Sequence, residues 1–393
     1  MSRHTDDIEP ARSASEGALP LLVLRRCAAL LATASVLVLA GAGCTSSGHA
    51  SDPAALTGPP TFVDLDHAIE ARVATDHLPG AALLVVRNGD TLRRQGYGSY
   101  DPTTVVPIAS ASKWLTVATL MTLVDEGRLS LDDPVRKHLP EFRGVTGSAT
   151  IRQLLSHTSG IAQNSCVWDD SSSLQACTDV IAAQQAAGTP GSAFEYGNTS
   201  FSVAGRIIEV VTGTSFEQAF EQRIAEPVGM TATRFDGASY PTDANPVPAA
   251  SAESDLDDYG RFVQMLAGRG AIDGRRVLSE ASVLEMEKDQ VVGLDTHRDD
   301  AVRTTGIPTY GLGAWRDVVT ADDTGVIVSG NGAYGFYPWV DRARNAYGVF
   351  EVYDQRGSTV AVPDSQATVH EVWAALDQET GAPAGPATTT YGR

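Results

Sequence analysis

The chain has 393 residues, 42% of them hydrophobic, enough apolar material for one large domain or two closely packed lobes and too much for a disordered protein. Its formal net charge of −19 is spread thinly, and no Lys/Arg stripe could follow a phosphate backbone, which argues against nucleic acid as a partner. Of 29 basic residues only three are lysines, Lys113, Lys137 and Lys288, so where a lysine is kept carries information.

Near the N-terminus, Arg25 and Arg26 precede an apolar run over 28–42, short for a membrane span, and this pattern reads as an export signal. The run ends at Gly43-Cys44, followed by Thr45-Ser46-Ser47-Gly48. Small residues before a cysteine resemble a bacterial lipobox, with Cys44 as the lipidated mature N-terminus; ordinary cleavage and an uncleaved anchor are the alternatives, and translation could start downstream of Met1. The expected location is therefore outside the cell, anchored by a lipid at the membrane or else secreted, with no other membrane contact. Residues 45–60, rich in Ser, Gly, Pro and Ala, read as a flexible linker, 61–380 as the folded domain, and 381–393 as a mobile tail.

In the folded part, apolar spacing predicts a helix over 61–75. Two strands follow, over 81–87 and 92–98, around the turn signal Asn88-Gly89. Residues 114–125 are apolar nearly all round and predict a buried helix. Helical periodicity recurs over 151–155, 178–186, 200–211, 216–224 and 256–266. Strand patterns return over 325–328, 335–340 and 347–353, before a closing helix over 365–376. Strands at both ends with helices between them predict an α+β fold in three layers: an antiparallel sheet built from both termini, flanked by helices, with an inserted, mainly helical lobe. There is no internal repeat. Of four cysteines, Cys27 falls in the signal and Cys44 in the lipobox. Cys166 and Cys177 remain, and an even pair in an exported protein predicts a disulfide worth roughly 2–3 kcal/mol, two free buried thiols being the alternative.

The strongest chemical signal is Ser110-Ala111-Ser112-Lys113 at the start of the buried helix. Positions i and i+3 share a helix face, so the Ser110 hydroxyl and the Lys113 amine can meet. The unpaired amides of a helix start favour negative charge developing at Ser110. Trp114, Val117 and Met121 around the amine would desolvate it and favour its neutral, basic form, a role arginine could not fill. The bland alternative is an N-capping serine beside a snorkelling lysine.

Further on lie Arg152-Gln153-Leu154-Leu155-Ser156-His157-Thr158-Ser159-Gly160-Ile161, then Glu195-Tyr196-Gly197-Asn198-Thr199, then Glu226-Pro227-Val228-Gly229-Met230. With Ser110-x-x-Lys113 in this order, the chain resembles the superfamily of serine β-lactamases, D-alanyl-D-alanine carboxypeptidases and penicillin-binding esterases, in its branch with a Tyr-x-Asn second motif. The resemblance runs over about 78–376. It implies acyl transfer through Ser110, with proton transfer shared by Lys113 and Tyr196, Tyr196 having been proposed as a phenolate in this branch, and with Asn198 holding substrate. On the residues alone, Tyr196 and Asn198 would read as a core tyrosine and a turn asparagine.

The third motif of that superfamily, a basic residue followed by x-Gly, is where the chain departs. The best match is Gly330-Asn331-Gly332-Ala333, placing Gly330 where Lys or His usually stands. Asn331, Gly332 and Ala333 would line the substrate strand, and the amides of Ser110 and Ala333 would form the oxyanion hole. Losing the cation shifts weight from β-lactamase towards esterase, unless Arg342 or Arg344 reaches in. Tyr334, Phe336, Tyr337 and Trp339 could line an acyl pocket or serve as core. His157 is expected to hold its loop. No Gly-x-Ser-x-Gly elbow, His-Glu-x-x-His or zinc-like spacing occurs, and no cofactor or metal is called for. The expected activity is hydrolysis of esters or D-amino-acid, peptidoglycan-like amides. The alternatives are a class C-like β-lactamase and a slow or non-catalytic penicillin-binding lipoprotein of the cell envelope.

Overall fold

A computed structural model describes residues 61–235, 245–319 and 326–379. The export signal, Cys44, the linker and the tail therefore lie outside the described residues.

The domain opens with helix α1 (Phe62–Thr75), started by a capping box in which Thr61 and Asp64 satisfy each other's amides. Strands β1 (Gly80–Arg87) and β2 (Asp90–Gly98) form the expected hairpin. Helix α2 (Ser112–Asp125) is buried on nearly every face, as its composition requires. The helical stretch continues with α3 (Ile151–Leu155), α4 (Leu174–Ala183), α5 (Thr199–Thr212) and α6 (Leu256–Ala267). Strands β3 (Trp315–Val318), β4 (Ile327–Ser329), β5 (Tyr337–Asp341) and β6 (Ala346–Glu351) then lead to the closing helix α7 (Ala361–Glu379).

One antiparallel sheet runs in the order β2-β1-β6-β5-β4-β3, so the N-terminal hairpin sits beside the last strand. β1 is buried on both faces. Ala81, Leu83 and Val85 meet α1 and α7 through Phe62, Leu65, Val372 and Trp373, whereas Ala82, Leu84 and Val86 join the larger core with Trp114, Tyr259 and Phe262. Gly260 lets α6 approach the sheet, because a Cβ there would lie 2.4 Å from the Leu84 side chain. These are the three expected layers. Among the element ends that shifted, α4 starts earlier than its periodicity suggested, at a Ser173 cap, and α7 starts at Ala361 instead of 365. β3 escaped the sequence reading because Trp315-Arg316-Asp317-Val318 is too short and mixed to show alternation.

Cys166 and Cys177 are joined in a disulfide, with Cα atoms 5.3 Å apart. None of the described helices is long and apolar enough to cross a membrane.

Candidate active site

Ser110 does not sit in the α-helix proper. It lies in a single 3-10 turn, Ala109–Ala111, that feeds into α2. Ala109 has φ +46°, a left-handed conformation that costs an L-residue about 1–2 kcal/mol. The turn is held from outside: Ser112 Oγ donates to Ala109 O at 2.6 Å and accepts from Ala252 N at 3.1 Å, while Ile108 N donates to Ala252 O at 3.0 Å. Neither the turn nor α2 uses a side-chain cap, so Ser110 is not the N-capping serine of the bland alternative. Ser110 is half-buried.

Lys113 is fully buried. Its Nζ lies 3.0 Å from Ser110 Oγ, 3.0 Å from Asn198 Oδ1 and 3.1 Å from Ala249 O. Burial pushes its pKa down to about 7. The three partners are chemically unequal. Asn198 Oδ1 and Ala249 O can only accept, and a neutral amine has two N–H donors and one lone pair. With both donors spent on those oxygens, the lone pair faces the Ser110 hydroxyl. Ala249, which no sequence motif marks, is as much part of this arrangement as Asn198.

Tyr196 stands across from Lys113, whose Nζ is 4.7 Å from the ring centroid, and the Ser110 side chain acts on its phenol electrostatically, favouring the ionised form. The ring is packed among aromatics: Trp315 stacks at 5.1 Å, His157 lies at 4.5 Å and Tyr310 at 6.0 Å. Desolvation among them pushes the Tyr196 pKa up, against the phenolate form. Its backbone N–H donates to Asp299 Oδ2 at 2.8 Å.

His157 is buried, with φ +59° and neither ring nitrogen hydrogen-bonded. It packs against Tyr196, Phe201, Tyr310 and Phe194, and burial with the nearby Lys113 holds its pKa well below the usual value. It is a neutral wall of the site.

The third-motif segment follows β4. Gly330 N donates to Pro338 O at 3.1 Å and Gly332 N to Phe336 O at 2.8 Å. Ala333 lies beyond the end of β4, in the turn that the Gly335 N–H closes on Gly332 O at 3.0 Å, and so stands outside the β4–β5 ladder. Gly332 is pressed against the nucleophile turn, since a Cβ there would lie 2.3 Å from Ile108 O. Asn331 is buried near the Tyr337 hydroxyl, its amide atoms without a well-formed hydrogen bond. A Cβ at Gly330 would lie 2.8 Å from Trp114 Cε3, so the Trp114 ring fills the direction a basic side chain would take.

The structure decides two points that the sequence left open. Arg342 and Arg344 do not reach in: Arg342 pairs with Glu287 and the carbonyls of Leu266 and Ala267, and Arg344 with Asp341 and Asp377. The run from Tyr334 to Trp339 does not line the cleft either. Phe336, Tyr337 and Trp339 are buried in the two cores, and Tyr334 packs on Tyr353. The aromatic wall is built instead from Phe194, Tyr196, Tyr310 and Trp315, which cluster with Val291, Val302 and Ile307. Those residues are scattered in sequence and carry no local pattern.

An antiparallel sheet with a helical lobe, and a serine-lysine pair facing Tyr-x-Asn where the two meet, define a β-lactamase-fold serine hydrolase. The chain belongs to the Beta-lactamase family, whose model matches residues 65–373. It is 34% identical over 279 residues to penicillin-binding protein 4 of Amycolatopsis lactamdurans, covering 59% of this chain and 72% of that protein. Against protein flp of Staphylococcus aureus (strain NCTC 8325 / PS 47) it is 35% identical over 192 residues, 45% of this chain and only 39% of that longer protein. Among solved structures, a beta-lactamase candidate from Bacteroides dorei DSM 17855 superposes with a TM-score of 0.71 at 35% identity, covering 79% of this chain and 98% of that one.

Proposed function

We propose that the protein hydrolyses esters or D-amino-acid amides through an acyl-enzyme on Ser110. The observation that carries this is the lone pair of Lys113: both N–H donors are engaged by obligate acceptors, and Ser110 Oγ is the one remaining partner, at 3.0 Å. Lys113 takes the Ser110 proton as Oγ attacks the substrate carbonyl carbon. The amides of Ser110 and Ala333 hold the resulting oxyanion. Tyr196, a phenol at rest, gives its proton to the leaving alkoxide or amine and is reprotonated by Lys113. Water then attacks the ester carbonyl of the acyl-enzyme by the same relay and releases Ser110 and the acid.

Trp114 in the place of a cation at Gly330, with Arg342 and Arg344 engaged elsewhere, supports neutral substrates over those bearing a carboxylate beside the scissile bond. β-Lactams are the second reading, supported by the family and by the relative whose name records penicillin binding. We further propose that the protein is exported and held to a membrane by lipid on Cys44. The disulfide supports an oxidising compartment. Mass spectrometry of the membrane fraction tests the lipid: an unmodified Cys44 sinks it.

For the activity, a fluorophosphonate should label the wild type and not Ser110→Ala, and short-chain p-nitrophenyl esters should turn over while nitrocefin does not. Equal labelling of both proteins dismisses Ser110 as nucleophile. Labelling by a fluorescent penicillin without any turnover would instead assign a binding protein.

A further inference from the structure

Asn198 immediately precedes α5, where an asparagine side chain ordinarily bends back to accept an amide of the first turn. Here it makes no such bond, because its Oδ1 is turned to Lys113 Nζ. The acceptor at the helix start comes from another segment. Gln163 Oε1 takes the N–H of Asn198 at 3.1 Å, the N–H of Thr199 at 3.4 Å and the hydroxyl of Thr199 at 3.2 Å. The next residue, Asn164, donates its own N–H to Thr199 Oγ1 at 2.9 Å, so two consecutive residues are tied to the start of α5. Asn164 Oδ1 in turn accepts from the N–H of disulfide-bonded Cys166 at 2.8 Å. Gly197 makes room for the contact: a Cβ there would lie 2.2 Å from Gln163 Nε2.

We propose that Gln163 is a positioning residue of the active site. It accepts the N–H groups of Asn198 and of Thr199, the first residue of α5, and so fixes the backbone from which Asn198 Oδ1 reaches Lys113 Nζ. The physical need is general: amides at a helix start have no partner within the helix and carry the positive end of its dipole, so they compete for the nearest side-chain oxygen. Without Gln163 the N–H groups of Asn198 and Thr199 lose their acceptor, the backbone that carries Asn198 Oδ1 is no longer held, and Lys113 loses one of the two acceptors that orient it. The inference rests on Lys113 being the base.

The test is kinetic, on the whole protein, with p-nitrophenyl acetate and the variants Gln163→Ala, Gln163→Glu, Asn198→Ala and Gln163→Ala/Asn198→Ala. Gln163→Ala should lower kcat roughly tenfold with KM little changed. Gln163→Glu keeps an oxygen acceptor and should recover most of the loss. In the Asn198→Ala background, Gln163→Ala should cost nothing more, because a residue acting through Asn198 has nothing left to act on. Gly197→Ala, which displaces the Gln163 amide, should reproduce the Gln163→Ala defect. Losses that add in the double variant, a glutamate that fails to rescue, or wild-type kcat in Gln163→Ala each overturn the proposal. Ser110→Ala run alongside separates the two levels. Turnover surviving it overturns the hydrolase reading and this one with it, whereas an inactive Ser110→Ala beside a fully active Gln163→Ala overturns this inference alone.

Discussion

The Trp114 ring stands where a side chain on residue 330 would grow, with 2.8 Å between Trp114 Cε3 and the position of a Cβ on Gly330. That distance is below any ordinary carbon contact, and Trp114 is locked by Phe262 at 6.0 Å within the larger core. Restoring a basic residue is therefore not a simple gain of function. Gly330→His alone is expected to lower Tm by several degrees and leave carboxylate-bearing esters no better used than neutral ones. Combined with Trp114→Leu, the same change should raise the ratio of kcat/KM for carboxylate-bearing over neutral esters. An improved ratio in Gly330→His alone would show that Trp114 does not guard the position.

As the proposed base, Lys113 should set the acid side of the rate profile. Burial brings its pKa from the ordinary 10.5 down to about 7, so the amine becomes neutral, and able to act as the proposed base, as pH rises through about 7. The kcat/KM profile should rise with pH through that value and level off above it. Lys113→Arg keeps a permanent charge and no base, and should lose 10²–10⁴-fold in kcat, on the order seen for general-base removal. A flat profile between pH 5 and 8 would remove Lys113 from the proton transfer.

Glu351 on β6 has a fully buried side chain with neither oxygen hydrogen-bonded. Burial, then the charges of Asp255, Asp101 and Asp257, raise its pKa to about 10. Between the unfolded value near 4.5 and about 10 the folded state holds a proton that the unfolded state releases. Stability is therefore lost as pH rises through that window, by up to about 1.4 kcal/mol per pH unit. Glu351→Gln should be near neutral in denaturant titrations at pH 4.5 and increasingly stabilising towards pH 8. A difference that does not change with pH would show that Glu351 is ionised in the fold.

The Cys166–Cys177 bridge closes a loop with a sequence separation of 11, for which the chain-entropy estimate is about 3 kcal/mol. Cys177→Ser should lower stability on that scale. Because Asn164 links the bridge to the start of α5, it should also lower kcat more than KM rises. Unchanged kcat in a folded Cys177→Ser protein would separate the bridge from the site.

Much of this could be read before any coordinates. The order of motifs gave the family. The apolar faces of α1, α2 and α6 and the strand patterns at both ends gave the layered sheet, because burial of one face leaves a periodic trace in one segment. The Ser110–Lys113 pair was legible because residues i and i+3 at a helix start lie close together, although the 3-10 turn that carries Ser110 is held by Ala252 from another segment.

What the sequence alone determined, then, is chemistry held within single segments: the serine and its neighbouring amine, the Tyr-x-Asn pair, the two cysteines. Only the tertiary structure decided how those segments meet. It brought Ala249 and Gln163 to the site from loops without a motif, built the aromatic wall from Phe194, Tyr310 and Trp315, and turned Trp114 into the place of the missing cation. Contacts between residues far apart in the chain depend on the packing of whole layers, and no local pattern records that packing.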